Sequence, residues 1–430
     1  MFSKAKEDNL LPLDNSAIIY PPTVARYNTH VFRLSFDLNI EVNPKRLLLA
    51  LENIIERFPY YKVSLHQGFF WYYFLPNNRP LEVYPEVSYP CGYIHPKKGA
   101  NRYLFKVFYT KNRIAVEFFH ALTDGTGGLT FLKSLTAEYL RLSGIEVDSD
   151  PQILLPTEKV PLEEIEDSFE KFYKPLKSVF GTEQKAFHLS KGTLTDDVLS
   201  ISGKIKIEQL KEISKKYNVT ITEFLVSELI FALQKIQSGQ VKKEKNNKPI
   251  RVSVPVNIRR HFDSTSLRNF TLFVVIGVDP SLGLWSFEEI LEQVMHQLRG
   301  GINAKTLSRQ VARNVAGRRH ILIRWAPNIF KKPFMKLLSD SYGDSIFSTT
   351  LSNLGAVSLP KGMKEVVRRG DFYLSPSKKN KVSLAAIGIK EHLFINFTSI
   401  LSDDTNFEKE VFRSLVEKGL EVEISSNREE

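Results

Sequence analysis

The 430-residue sequence contains a single cysteine, Cys91, so it cannot form an internal disulfide framework or a cysteine zinc cluster. It has no apolar segment of signal-peptide length near residue 1 and no run of 18 apolar residues that could span a membrane. These absences predict a cytoplasmic, reducing environment. A nucleophilic cysteine needs a neighbouring base, and the segment 88–96 offers only His95, so a structural role for Cys91 is favoured.

The sequence also lacks the motifs of several common site classes. We find no P-loop, no dinucleotide glycine fingerprint, no G-x-S-x-G nucleophile elbow and no H-E-x-x-H helix. The nine histidines are scattered rather than grouped as convergent ligands. We therefore predict no metal site.

What the sequence does have is an excess of positive charge, with a formal net charge of +11. Residues 293–339 contain basic residues and no acidic ones: Arg299, Lys305, Arg309, Arg313, Arg318, Arg319, Arg324, Lys331, Lys332 and Lys336. Such a stretch attracts a nucleic acid, an anionic membrane surface or a phosphorylated ligand, or it is simply a solvated surface. No nucleic-acid-binding motif is recognisable, so we predict no nucleic-acid partner and leave peripheral membrane contact through 293–339 open.

Composition and length predict a globular protein of more than one core. Hydrophobic residues make up 42% and charged residues 25% of the chain, as in soluble globular proteins. A chain of this length exceeds one ordinary core, so two domains are the default. We divide it into an N-terminal half at 1–145, an acidic crossover at 146–195 and a C-terminal half at 196–430.

Periodicity predicts strands and helices in both halves. In the first half it indicates a strand at 29–40, an amphipathic helix at 43–58 capped by Asn43 with Pro44 at its first position, a hairpin at 60–75, and strands at 101–109 and 112–119. In the second, a strand at 200–206 precedes a helix with a Thr220–Glu223 capping box, and five more apolar strand segments follow. The strands do not alternate one-for-one with helices, which favours two mixed-sheet α/β (α+β) domains over a barrel.

The most informative stretch is residues 118–131, FFHALTDGTGGLTF. Ile114, Val116, Phe118 and His120 lie on one face of the predicted strand by its period of two. A glycine-rich turn follows the histidine, and helical spacing begins near Leu129. The glycines either supply a turn with positive φ or allow something large to approach the imidazole. The alternative is a core histidine that is hydrogen-bonded to the backbone.

His120-x-x-x-Asp124-Gly125 resembles the H-x-x-x-D-G signature of the CoA-dependent acyltransferase superfamily. That superfamily includes chloramphenicol acetyltransferase, alcohol acetyltransferases, plant BAHD acyltransferases and condensation domains of non-ribosomal peptide synthesis. Other similar segments are IIERFPYYKVSL, with Arg57 and Lys62 in the arginine positions of condensation domains, LRNF with Asn269, and TTLSNLG at 349–355, which resembles a strand of dihydrolipoyl acyltransferases. The resemblance covers about residues 10–425, and bacterial alcohol acetyltransferase-like proteins are the expected relatives.

Two departures from the family pattern limit the resemblance. Many members have a second histidine just before the catalytic one, where this chain has Phe119. This departure excludes a close match to condensation domains but does not remove the later histidine, to which the family assigns catalysis. Of the plant D-F-G-W-G motif only Asp371 and Phe372 remain.

The resemblance implies two chloramphenicol-acetyltransferase-like subdomains around a central tunnel. His120 would be the general base for a hydroxyl or amine acceptor, and acyl-CoA would be the co-substrate that donates an acetyl or other short acyl group, with no permanently bound cofactor. Ser352 or Thr350 would stabilise the oxyanion. Asp124 would pair with an arginine, Arg57 as first candidate and Arg259 as second. The glycines Gly125, Gly127 and Gly128 would leave the centre of the tunnel around His120 free of side chains that block substrate.

Two other functions stay open at this point. One is condensation on a carrier-protein thioester, and the other is a non-catalytic descendant that binds a ligand or partner. The sequence does not identify the CoA-binding residues, the acceptor or the acyl chain length. A monomer is the expected oligomeric state.

Overall fold

In a computed structural model the described residues are 10–176, 184–239, 247–320, 325–338 and 343–428. Their strands are β1 Leu11–Pro12, β2 Val31–Leu38, β3 Val63–Gln67, β4 Tyr72–Pro76, β5 Val83–Pro85, β6 Phe105–Tyr109, β7 Arg113–Phe119, β8 Leu194–Lys206, β9 Ile250–Asn257, β10 Thr271–Val278, β11 Thr349–Val357, β12 Val367–Leu374, β13 Val382–Ile389, β14 His392–Leu401 and β15 Val422–Ser426. Their α-helices are α1 Tyr20–Thr23, α2 Pro44–Ile55, α3 Gly125–Leu142, α4 Leu162–Ile165, α5 Ser168–Lys171, α6 Ile207–Lys216, α7 Ile221–Gly239, α8 Arg259–Phe262, α9 Phe287–Gly301, α10 Ala304–Arg319, α11 Asn328–Leu338, α12 Met363–Val366 and α13 Asn406–Glu417. Within these ranges, no helix combines the length and apolar character needed to cross a bilayer.

The first half is built on a five-stranded sheet in the order β12-β2-β7-β6-β5. The helices α2 and α3 pack against each other and bury their apolar residues in the same core as β2 and β7. The predicted helix at 43–58 is confirmed as α2, and the Asn43 side chain accepts a hydrogen bond from the Arg46 amide at 3.1 Å. The predicted hairpin at 60–75 is β3 and β4, which β1 extends to a three-stranded sheet.

The second half is built on a seven-stranded sheet in the order β10-β9-β11-β13-β14-β8-β15. All eight residues of β13 are buried, which explains why its sequence is apolar without alternation. The Thr220–Glu223 capping box is present, because each residue's backbone amide donates to the side chain of the other, at 2.7 and 3.2 Å. The prediction missed β12, β15 and the first six residues of β8, and in the first half it missed β1 and β5.

One strand of the C-terminal range belongs to the N-terminal sheet. The strand β12 pairs antiparallel with β2, so that Asp371 lies opposite Ser35. Side chains of β13 and β14, among them Ile387 and Phe394, are part of the core around β2. The two sheets are therefore in direct contact, which brings strand ends of both halves to one place.

Ion pairs attach the acidic crossover to both halves. Arg57 donates two hydrogen bonds to the Glu164 carboxylate at 2.7 and 2.8 Å, both side chains being nearly buried. Asp167 accepts from Arg318 at 3.1 Å and from the Asn15 backbone amide at 2.8 Å. Glu164 and Asp167 of this segment are thus partners of arginines from distant parts of the chain.

Candidate active site

His120 lies immediately after β7, at the turn that leads into α3. Its backbone amide donates to the His30 carbonyl oxygen at 2.8 Å, so the strand pairing with β2 continues to the histidine. The Tyr20 ring stacks on the imidazole with centroids 4.5 Å apart, and the Phe32 ring meets it edge-on at 5.3 Å. These contacts hold the half-buried ring in one orientation.

The hydrogen bonds of Asn269 determine which imidazole nitrogen carries the proton. The Asn269 Nδ2 amide group donates to the Asp14 carboxylate at 3.1 Å, so its Oδ1 must be the atom that lies 3.0 Å from Nδ1 of His120. Because that oxygen can only accept, Nδ1 carries the hydrogen and Nε2 keeps its lone pair. No described residue makes a hydrogen bond to Nε2. The geometry therefore leaves Nε2 free to accept a proton.

The surroundings of His120 favour its neutral form. Burial lowers the pKa of its imidazole below the ordinary value, although the charge of Asp124 and the hydrogen bond with Asn269 act in the opposite direction. Burial and the neighbouring His120 also lower the pKa of His30, to about 3. Both imidazoles are therefore uncharged at neutral pH.

Asp124 joins the two halves behind His120. Its carboxylate caps α3 by accepting from the Thr126 and Gly127 amides, each at 3.2 Å. It also accepts two hydrogen bonds from Arg259, at 2.9 and 3.1 Å, and bonds from Phe270 and Thr271 of the second half. The structure thus pairs Asp124 with the second candidate, Arg259; the first candidate was wrong, because Arg57 is occupied by Glu164.

The pKa of Asp124 follows from these contacts. Burial alone would raise the pKa of this carboxyl group, but the charge and hydrogen bonds of Arg259 and the amides of Phe270 and Gly127 lower it below the ordinary value. Asp124 is therefore an ionised side chain with its acceptor sites filled by protein donors. It holds α3 against the second half.

The glycines after Asp124 belong to the first turn of α3 rather than to a separate turn. None of the three has a positive φ, so the interpretation that the turn needs this conformation is wrong. A Cβ atom on Gly127 would overlap the Leu267 carbonyl oxygen, and one on Gly128 would lie 2.8 Å from the Phe32 ring. These two glycines allow α3 to pack closely on its neighbours, whereas Gly125 lines the cavity in front of His120.

A cavity of about 560 Å³ lies between the two halves. It is lined by His120 and Gly125 from the first half and by Thr350 and Ser352 from β11 of the second. In the part of the chain that the structure describes, the hydroxyl groups of Thr350 and Ser352 make no hydrogen bond that would hold them away from a ligand. The structure thus brings the predicted base and both predicted oxyanion donors to one cavity.

A metal site and a reactive cysteine are the two other kinds of reactive centre to consider. Among the described residues there is no group of three or more His, Cys, Asp or Glu side chains that could hold a metal ion. Cys91 is fully buried, and burial raises the pKa of its thiol well above the ordinary value, which keeps it a poor nucleophile.

Three residues that position His120 were missed from the sequence as site residues: Asn269 and Tyr20, which contact the imidazole, and Asp14, which accepts from Asn269. Asn269 had a signal, since it matched the asparagine position of the family, but the resemblance gave it no role. Asp14 and Tyr20 carried no signal, because neither belongs to a motif and both lie in the segment before β2. Their contribution depends on the packing of that segment over the imidazole.

The fold of this chain is similar to that of solved acyltransferases and condensation domains. No protein-family sequence model matches the chain, and no curated protein sequence matches it significantly. Solved structures with this fold include F. sporotrichioides TRI101 complexed with coenzyme A and T-2, which has a TM-score of 0.62 and 12% sequence identity, with 97% of this chain and 99% of that chain covered.

Two further solved structures show the same architecture. The wax ester synthase/diacylglycerol acyltransferase from Marinobacter aquaeolei has a TM-score of 0.55 and 11% identity over 95% of this chain and 98% of that chain. The starter condensation domain of rhizomide synthetase in complex with C8-CoA has a TM-score of 0.55 and 12% identity over 95% and 94%. At these identities the likeness establishes the fold, and it confirms the predicted fold class.

Proposed function

We propose that this protein is a CoA-dependent acyltransferase that moves an acetyl or other short acyl group from a CoA thioester to a hydroxyl or amine acceptor. The observation that carries the proposal is the state of His120. Asn269 holds its Nδ1 as a donor, and its uncharged Nε2 is left without a partner among the described residues, in a cavity shared by both halves. A half-buried, neutral imidazole with one free nitrogen is an arrangement suited to general-base catalysis.

The proposed reaction uses the same nitrogen twice. Nε2 of His120 takes the proton of the acceptor hydroxyl while the oxygen attacks the thioester carbonyl carbon. The tetrahedral oxyanion collapses, the carbon–sulfur bond breaks, and the CoA thiolate leaves. The thiolate then receives the proton from Nε2, so CoA is released as the thiol and the base is regenerated.

The oxyanion needs a donor on the opposite side of the reacting carbon from the base. Ser352 and Thr350 are our candidates, since their strand β11 is one of the second-half strands that line the cavity. Solved structures of the fold support the choice of co-substrates. Several contain coenzyme A, and one is a trichothecene 15-O-acetyltransferase, which supports an oxygen acceptor.

The direct test is mass-spectrometric detection of acyl transfer from a panel of CoA thioesters of increasing chain length to mixed alcohols and amines. We expect an acylated product and free CoA in equal amounts, with short chains preferred. A product formed only from carrier-protein thioesters would favour condensation-type transfer. Tight binding of acyl-CoA with no product from either donor would contradict an enzymatic role.

The pH dependence tests the protonation state of His120. Only neutral imidazole accepts a proton, so kcat/KM is lost as the pH falls through the pKa of His120. Because burial lowers that pKa, we expect a plateau around neutral pH and an acid limb below the ordinary value of about 6.5. His30, with a pKa of about 3, contributes no limb in the working range. An acid limb above 6.5 in wild type would show that a different group is the base.

A further inference from the structure

The helix α11 has an unusual distribution of side chains, with its apolar residues facing outward. Ile329, Phe330, Phe334 and Leu337 are between 48% and 74% exposed. At 100° per residue these positions, with exposed Pro333, fall within an arc of about 140° on the helix surface. An apolar face of a helix normally packs on the core, so its exposure needs an explanation.

The opposite, polar side of α11 is fixed to the tip of the hairpin formed by β3 and β4. The Asn328 side chain donates to the Gly68 carbonyl oxygen at 2.9 Å. The Lys331 ammonium group donates to the Phe70 carbonyl oxygen at 2.7 Å and lies 3.2 Å from the centroid of the Trp71 ring. These bonds bury Asn328 and Lys331 and hold the apolar side outward.

Two further exposed aromatic residues lie at the hairpin tip and just before α11. Phe69 at the hairpin tip is 70% exposed, and Trp325 is 60% exposed with its ring 5.7 Å from that of Phe70. We call the following residues the apolar patch: Ile329, Phe330, Phe334 and Leu337. A patch of this composition on a protein surface marks an interaction site.

Basic side chains are exposed on α11 and on α10, the helix that precedes it. Lys332 is exposed on α11 itself. Lys305, Arg309 and Arg313 follow one another at spacings of four along α10, are exposed, and form no ion pair within the described ranges. Their helix ends next to α11, because Arg318 of α10 also contacts the Trp71 ring, at 5.9 Å.

We propose that the apolar patch and these basic residues dock the protein on an anionic lipid bilayer. Exposed Phe, Ile and Leu side chains insert at the boundary of headgroups and acyl chains, and Lys and Arg contact the anionic headgroups. The uncompensated positive charge distinguishes this surface from one that pairs with a second copy of the chain, since two such surfaces repel. Arg313 and Met335, from α10 and α11, also line the cavity that contains His120, so docking places the cavity beside the lipid.

The test is flotation with vesicles of phosphatidylcholine alone and of phosphatidylcholine mixed with phosphatidylglycerol. We expect wild type to float with the mixed vesicles and to be released as salt rises to about 0.15 M and above. The double variant Ile329→Ser/Phe330→Ser should bind the mixed vesicles at least roughly tenfold more weakly, because it removes two large apolar side chains from the patch. The matched control Leu282→Ser/Leu284→Ser removes two side chains that are 79% and 72% exposed outside the patch, and it should bind like wild type.

Several outcomes would overturn the proposal. These are the absence of wild-type flotation, equal flotation with both vesicle types, or equal loss in the two double variants. Sedimentation velocity on the same samples tests whether a second copy of the chain, rather than lipid, occupies the patch. Self-association of wild type that the patch variant abolishes, without vesicle binding, would make the patch an interface between copies of the chain. None of these measurements uses acyl transfer, so they do not depend on the proposed function.

Discussion

Replacing His120 by alanine is expected to lower the turnover of acyl transfer by roughly 10²–10⁴-fold, the usual contribution of a general base. The acceptor proton then has no recipient, since Nε2 of His120 is removed and the other imidazole nearby, His30, is already hydrogen-bonded to Thr23 at 2.8 Å. The substitution shortens a side chain that lines the cavity, so acyl-CoA should bind as well as before. Steady-state kinetics with calorimetric measurement of acyl-CoA binding would separate the two effects.

The control for this experiment is matched folding. His120→Ala also loses the stacking contact with Tyr20 and the hydrogen bond with Asn269, so its melting temperature must be compared with wild type. The variant His261→Ala changes an exposed histidine outside the cavity and should retain wild-type turnover. Wild-type turnover in a well-folded His120→Ala protein would remove His120 from the mechanism, and unfolding would favour a purely structural histidine.

The sequence predicted best the elements whose signals are local. Asn43 before Pro44 located the start of α2, and the Thr220–Glu223 pair located the start of α7, because caps act within a single turn. The strand β12 was missed since charged residues interrupt its apolar pattern. In the structure Asp371 of this strand is fully buried and forms ion pairs with Arg113 and Arg369. A residue typical of loops therefore lies inside a sheet with its charge paired.

The same difference between local and distant signals applies to the residues of the site. His120, Asp124 and Gly125 form a motif of six residues, and the sequence sufficed to select them. Their partners are distant: Asn269 is 149 residues from His120, and Arg259 is 135 residues from Asp124. Nothing local distinguishes Arg259 from Arg57 as the partner of Asp124. The path of the crossover determines which arginine pairs with Asp124, because it brings Glu164 to Arg57 and leaves Arg259 for Asp124.

Replacing Asp124 by asparagine is expected to cost stability and activity together. Asparagine is as good a helix cap as aspartate, so the start of α3 keeps its cap and the variant removes mainly the negative charge. The Arg259 guanidinium is then a buried cation without its counter-ion. In addition, asparagine has only one acceptor oxygen, so one of the two hydrogen bonds from Arg259 is lost. Breaking a buried ion pair in this way costs about 3–5 kcal/mol of unfolding free energy.

Activity should fall with stability because the bonds of Asp124 to Arg259, Phe270 and Thr271 hold the two halves together behind His120. Asn269, which orients the imidazole, immediately precedes Phe270, so loosening this junction loosens the base as well. We expect a lower kcat with little change in the KM for the acceptor. Denaturant unfolding and steady-state kinetics on the same preparation would measure both effects.

The matched control is Asp196→Asn, which breaks the ion pair between Asp196 and Arg26. Both of those side chains are more than half exposed to screening solvent, so the loss of stability should be much smaller than for Asp124→Asn. A second variant, Asp124→Asn with Arg259→Met, removes the unpaired cation and should recover part of the lost stability, because the penalty belongs to the buried charge rather than to the missing carboxylate. If Asp124→Asn instead unfolds like wild type and only weakens acceptor binding, Asp124 contacts the substrate and does not serve to join the two halves.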